Sequence, residues 1–209
     1  MHNLSYVELA FLIIKPFVGD NLTSKNLKSI IRKAYSAFKD GKIAPLKHLG
    51  GNEFLLELFH GPTLAFKDIA MQFLGPLFDH ILNIRGERTT LVGATSGDTG
   101  SAAIAAFRDR KMIDIFILYP DKRISEVQRR QMTTVNASNV HCIALNGTFD
   151  DCQDMVKAMF SNVPFRVNNN LSAINSINWA RIMSQIVYYF WAALRVGVPK
   201  TAVSFSIPT

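Results

Sequence analysis

Apolar positions recur every three or four residues in two stretches near the start of the chain, 5–16 and 24–38. In the second, Leu27, Ile30, Ile31, Ala34 and Phe38 fall on one face, so both stretches are predicted as amphipathic helices. The short apolar run from Phe54 to Phe59 predicts a strand. A loop at His60-Gly61-Pro62-Thr63 leads into a helical pattern from about Ala65 to Leu82, which Gly75-Pro76 should kink or split. The pattern then alternates. Strands are predicted over 89–94, 113–119 and 140–145, with a weaker fourth over 165–167. Helices are predicted over 100–107, from Ser125 to about Thr133, and over about 150–160. Ser125 with Gln128 forms a capping box, and Thr148 caps the helix after it. Such alternation implies an α/β fold, an open parallel sheet with helices on both faces. Ligands on such sheets bind at the carboxyl ends of the strands. Ser176–Val196 reads as one long helix with bulky apolar residues on more than one face, which is buried or joins two domains. Ala202–Ile207 reads as a last strand.

Composition narrows the class. Of 209 residues, 48% are hydrophobic and 19% charged, which suits a globular protein with a sizeable core. The net charge is +7, and Lys122, Arg123, Arg129 and Arg130 lie close together. No aromatic residue is interleaved with them to stack on bases, so they read as a solvated helix face, and no nucleic-acid partner is expected. A basic balance also suits an enzyme that handles anions. Cys142 and Cys152 have no metal-ligand spacing, and two thiols without a signal peptide point to a reducing, cytoplasmic setting. The histidines at 2, 48, 60, 80 and 141 are scattered, so no metal is expected. The apolar run 186–194, bracketed by Arg181 and Arg195, is too short for a bilayer, which needs about 20 residues. No membrane partner is expected.

The chemistry concentrates in two segments. In Leu91-Val92-Gly93-Ala94-Thr95-Ser96-Gly97-Asp98-Thr99-Gly100-Ser101-Ala102-Ala103, a strand pattern stops at a Gly/Ser/Thr cluster and a helical pattern begins. A loop there sits at a helix N-terminus, where unpaired N–H groups and the helix dipole favour an anion. Gly97 and Gly100 allow close backbone approach, and Thr95, Ser96 and Thr99 add hydroxyl donors. The segment lacks the lysine of a nucleotide P-loop, the glycine spacing of a dinucleotide site and the serine of a nucleophile elbow. It is an anion cradle that needs a reactive partner from elsewhere. The second segment, His60-Gly61-Pro62-Thr63-Leu64-Ala65-Phe66-Lys67-Asp68, offers one. A lysine in an apolar setting has a depressed pKa and can form a Schiff base. On local pattern alone, a surface lysine and a capped turn without ligand remain open.

Together these segments resemble the threonine synthases, pyridoxal-phosphate enzymes of the tryptophan synthase β-like, fold type II class. The resemblance is carried by LELFHGPTLAFKD (56–68), GATSGDTGSAA (93–103), FILYP (116–120), GTFDDCQ (147–153), NSINWARI (175–182) with QIVYYF (185–190), and VSFSIPT (203–209). It implies a fold type II enzyme with an incomplete second domain. Residues 1–70 would be a helical segment and the start of the large domain. Residues 71–170 would form a small α/β domain, and 171–209 would return to the large one. It implies pyridoxal 5′-phosphate as cofactor, with Lys67 as the catalytic lysine that forms the Schiff base. Asp98 and Thr99 would face the cofactor, and Thr95, Ser96 and Gly97 the substrate carboxylate. An anionic Asp98 beside the cofactor phenolate is costly unless it is protonated or turned away. Ser176, Asn178 and Arg181 would hold the substrate phosphate, Arg181 as a bidentate fork. The implied reaction converts O-phospho-L-homoserine and water to L-threonine and phosphate. A serine or threonine dehydratase-type reaction on the same scaffold, or a fragment without catalysis, stays open as an alternative. The chain stops at Thr209, where the family continues into a glycine-rich phosphate loop, and it starts late. The expectation is a sequence truncated at both ends that binds the cofactor poorly by itself.

Overall fold

Two capped helices lead the chain. In α1 (Tyr6–Val18) the Ser5 hydroxyl accepts from the Glu8 N–H, and the Glu8 carboxylate accepts from the Ser5 N–H at 2.8 Å. In α2 (Ser24–Tyr35) Thr23 caps the Asn26 N–H, and the predicted face of Leu27, Ile30, Ile31 and Ala34 is buried. The computed structural model describes residues 3–174 and 178–207. Next comes an antiparallel hairpin of β1 (Leu46–Gly50) and β2 (Glu53–Leu56). The predicted strand over 54–59 is therefore shorter and starts earlier, and its partner carried no apolar pattern because this hairpin is largely exposed.

Helix α3 (Lys67–Arg85) runs unbroken through Gly75 and Pro76. Gly75 has a packing role: a Cβ there would lie 2.4 Å from the Ala106 carbonyl oxygen, so its absence lets two helices approach closely. The alternating region follows as β3 (Thr89–Ala94), α4 (Asp98–Phe107), β4 (Ile113–Pro120), α5 (Glu126–Thr133), β5 (Val140–Leu145), α6 (Phe149–Ser161), α7 (Val163–Asn168), β6 (Leu171–Ala173) and α8 (Trp179–Val196). The capping boxes expected at Ser125 and Thr148 are both formed.

The four strands form one parallel sheet in the order β5-β4-β3-β6, with Leu91 opposite Ile115 and Val92 opposite Phe116. Alternate residues divide the core between the two faces. Leu91, Ile115 and Ile117 join the larger cluster with α3 and α4. Val92 and Leu118 pack with Cys152 of α6 on the other face. The expected α/β fold with helices on both faces is thus formed.

Three expectations are corrected. Residues 165–167 lie in α7, not in a strand. Asn162 accepts from the Phe165 N–H and Pro164 occupies the first turn, a helix start that outweighs the apolar alternation of Phe165 and Val167. The fourth strand is β6. Residues 202–207 form no strand, because no described strand offers a ladder partner for their backbone groups. Instead Phe205 packs edge-on against Tyr189, with ring centroids 5.0 Å apart. Finally, α8 starts at Trp179 rather than at Ser176, with Asn178 as its cap. Helix α8 also closes the molecule on itself. Trp191 Nε1 donates to the Ala44 carbonyl at 2.7 Å, its ring packs on Tyr6, and Arg195 donates to the Leu4 carbonyl at 3.1 Å.

Candidate functional site

Three helix N-termini, those of α3, α4 and α8, gather their polar residues near the carboxyl end of β3. The loop from β3 into α4 is built by Thr95. This residue is 2% exposed, and its hydroxyl oxygen accepts from the N–H groups of Gly97 at 3.0 Å and Gly100 at 2.9 Å while donating to the Gly97 carbonyl. Thr95 was expected to face the substrate. The structure turns it inward instead, where it satisfies the loop's own donors and shapes the cradle. Gly97 has φ 146°, and a Cβ there would meet the Gln128 side chain. Ser96 is exposed, and Thr99 is half-buried in the first turn of α4. The N–H groups of Asp98 and Thr99 donate to no described acceptor, as expected of an open helix N-terminus.

Lys67 is the first residue of α3, and its side chain is 20% exposed. Its Nζ lies 3.8 Å from Asp98 Oδ2 and 4.8 Å from the centre of the Phe66 ring. Burial lowers the Lys67 pKa. The charge of Asp98 opposes this and that of Arg181 adds to it. The carboxylate of Asp98 is thus turned to the lysine on one oxygen, and its other oxygen accepts from Gln128 Nε2 at 2.7 Å.

Below Lys67, Asp68 is fully buried. Its carboxylate accepts from the Thr63 N–H at 2.8 Å and hydroxyl at 2.7 Å, and Gly61 packs so closely that a Cβ would overlap it. Burial raises its pKa against those two bonds. Neither the role of Asp68 nor that of Gln128 beyond its cap was expected from the residues alone. A buried carboxylate folding the 60–66 loop under the lysine leaves only a Thr and an Asp five residues apart as its signal.

Arg181 stands in the first turn of α8 and is 4% exposed, so it is a buried residue rather than one on the helix surface. Burial lowers its pKa below the ordinary guanidinium range, and it stays a cation at neutral pH. Asn178 Oδ1 accepts from the Arg181 N–H at 3.3 Å, so this expected substrate ligand is also the cap of α8. Ser176 lies outside the described residues. Among the described residues no cluster of His, Cys, Asp or Glu has the geometry of a metal site, and no helix is long and apolar enough to cross a membrane.

Comparison with known proteins decides the family. The family model described as "Pyridoxal-phosphate dependent enzyme" matches residues 42–206, and "Threonine synthase N terminus" matches residues 1–35. The chain belongs to the pyridoxal-phosphate dependent enzymes. Within that family it is similar to a threonine synthase of Pseudomonas aeruginosa, at 57% identity over 99% of this chain and 44% of that protein. The crystal structure titled as the PLP-bound threonine synthase of Brucella melitensis superposes with a TM-score of 0.91 at 54% identity, over 96% of this chain and 43% of that one. The yeast threonine synthase structure gives 0.87 at 44% identity, over 95% and 41%. The chain therefore spans less than half the length of these relatives, and the resemblance to threonine synthases with a fold type II scaffold holds along it.

The cofactor of this pyridoxal-phosphate family is an aldehyde that links to an amine, and the residues present fit it. Lys67 offers an amine whose neutral form is favoured by burial, with its side chain 20% exposed. The donors on the α4 side are its open N-terminus and the hydroxyls of Ser96 and Thr99, and the absence of a Cβ at Gly97 lets the Gln128 side chain pack against the loop.

Proposed function

We propose that this chain carries the cofactor lysine and substrate-binding residues of an enzyme that converts O-phospho-L-homoserine and water to L-threonine and phosphate. The observation that carries the reading is a buried cation, Arg181, placed so that its charge acts on the half-buried amine of Lys67. A dehydratase acting on serine or threonine has no phosphate for such a cation to hold. Pyridoxal phosphate, when bound, supplies the electron sink for carbanion chemistry. Lys67 would hold it, and the Lys67 amine would move protons at the α and β carbons of the substrate. Asp98 and Thr99 face the cofactor. Ser96, Gly97 and the first N–H groups of α4 take the substrate carboxylate, within a loop that Thr95 holds in shape. Arg181, with Asn178 and Ser176, takes the phosphate that leaves from the γ carbon. Water adds at the β carbon. The free thiols of Cys142 and Cys152 support a cytoplasmic setting for this reaction.

The test is Arg181→Ala in the enzyme that carries this sequence. A charge-assisted bond contributes about 1.5–3 kcal/mol, so phosphate release from O-phospho-L-homoserine should fall at least about tenfold in kcat/KM. Cofactor occupancy should be unchanged. Equal loss toward serine, or unchanged kinetics, would reject Arg181 as the phosphate ligand and the substrate with it.

A further inference from the structure

Helix α5 supplies no group to the proposed reaction, yet it reaches both loops of the site. Gln128 and Gln131 stand three residues apart and so share a face of the helix. Gln128 Nε2 donates to Asp98 Oδ1 at 2.7 Å, and Gln131 Nε2 donates to the Thr63 carbonyl at 3.1 Å. The other oxygen of Asp98 faces Lys67 Nζ, and Thr63 in turn holds Asp68, the neighbour of Lys67. One amide therefore grips each side of the lysine–carboxylate pair. The orientation of Gln128 is fixed by its other end, because Oε1 accepts from the Ser125 hydroxyl at 2.9 Å and from the Ser125 N–H. With the oxygen engaged in the helix cap, the NH2 is the end that faces Asp98.

We propose that Gln128 and Gln131 are positioning residues, with α5 clamping the two loops in register and Gln128 aiming the Asp98 carboxylate at the Lys67 amine. The proposal rests on the reading of Lys67 as the cofactor lysine. Its physical content is rotational. The Asp98 side chain is 46% exposed, and without the amide it is free to turn toward water. The charged groups acting on the Lys67 amine are Asp98 from α4 and Arg181 from α8, while α5 contributes neutral amides. Losing the aimed carboxylate leaves burial and Arg181 acting in the same direction.

The experiment labels the full 209-residue chain, without cofactor, with acetic anhydride across pH and reads Lys67 acetylation by peptide mass spectrometry. Gln128→Met should move the Lys67 midpoint down by about one unit. Asp98→Asn should move it at least as far, and the double variant no further than Asp98→Asn alone. Circular dichroism checks the fold, and Gln128→Ala replaces the Met variant if that one does not fold. A midpoint unmoved in Gln128→Met while Asp98→Asn shifts it reduces Gln128 to a helix cap. Independent, additive shifts, or no shift in Asp98→Asn, also overturn the clamp. Borohydride fixation of pyridoxal phosphate on wild type is run in parallel. Fixation at another lysine removes the functional reading of Lys67, whereas an unmoved midpoint removes the clamp.

Discussion

Lys67 occupies a position that disfavours its own charge. Its folded pKa lies below the ordinary 10.5, so the folded state resists protonation there. The resulting penalty is fully present below the folded value and is relieved as pH rises through that value toward 10.5. Lys67→Met should therefore be more stable than wild type in urea unfolding at pH 7, with the difference shrinking as pH approaches 10.5. A constant difference across that window would assign the effect to packing instead. The same depressed pKa should let pyridoxal phosphate fix to Lys67 at lower pH than to exposed lysines such as Lys157. The candidate site was proposed from residue types at the lysine after Phe66 and the Ser-Gly-Asp-Thr loop, and from the family resemblance at Arg181. What was not legible was the direction each side chain takes. Thr95 and Ser96 are adjacent hydroxyls in the same loop, yet one is buried under it and the other exposed. That choice depends on which backbone N–H groups the loop must satisfy, a property of the folded loop rather than of its composition.

At the scale of elements, the β3–α4 loop depends on one hydroxyl. Thr95→Val keeps the volume but leaves the N–H groups of Gly97 and Gly100 buried without an acceptor. Each orphaned donor costs about 1–3 kcal/mol, so the urea midpoint should fall markedly. Thr95→Ser, which keeps the oxygen, should recover most of the loss. If Val and Ser behave alike, the hydroxyl does not hold the loop. Elements with their own local signals were readable: the capping boxes at Ser125 and Thr148 mark α5 and α6, and the apolar runs of β3, β4 and β5 mark the sheet. Elements whose pattern serves two conformations were not. The alternation in 202–207 is a strand signal without a partner, and that in 165–167 is overridden by Asn162 and Pro164. The exposed hairpin strand β1 buries little and leaves no apolar pattern to find.

The described residues form two cores of unequal size on the two faces of the sheet, and their loads differ accordingly. Ile115 is fully buried in the larger one, and Ile115→Ala should cost about 2–5 kcal/mol in denaturant unfolding. A cost under 1 kcal/mol would mean that this face can collapse around the gap. A different consequence follows from the docking of α8 on α1, and it concerns order in time. The bond from Arg195 to Leu4 joins residues 191 apart, and that from Trp191 to Ala44 joins residues 147 apart. Closing such long loops costs entropy that shorter-range contacts avoid, so this seam should form after the local contacts of the sheet. The chain holds two tryptophans, Trp179 and Trp191, and both lie on α8 against α1 aromatics, Phe17 and Tyr6. Intrinsic fluorescence should therefore lag far-UV circular dichroism when the chain refolds, and coincident traces would show that α8 docks with the rest. Because Arg181 rides on the same helix, Lys67 and the β3–α4 loop should be assembled before the buried cation arrives, so a refolding chain sets its half-buried amine in place earlier than the guanidinium that acts on it.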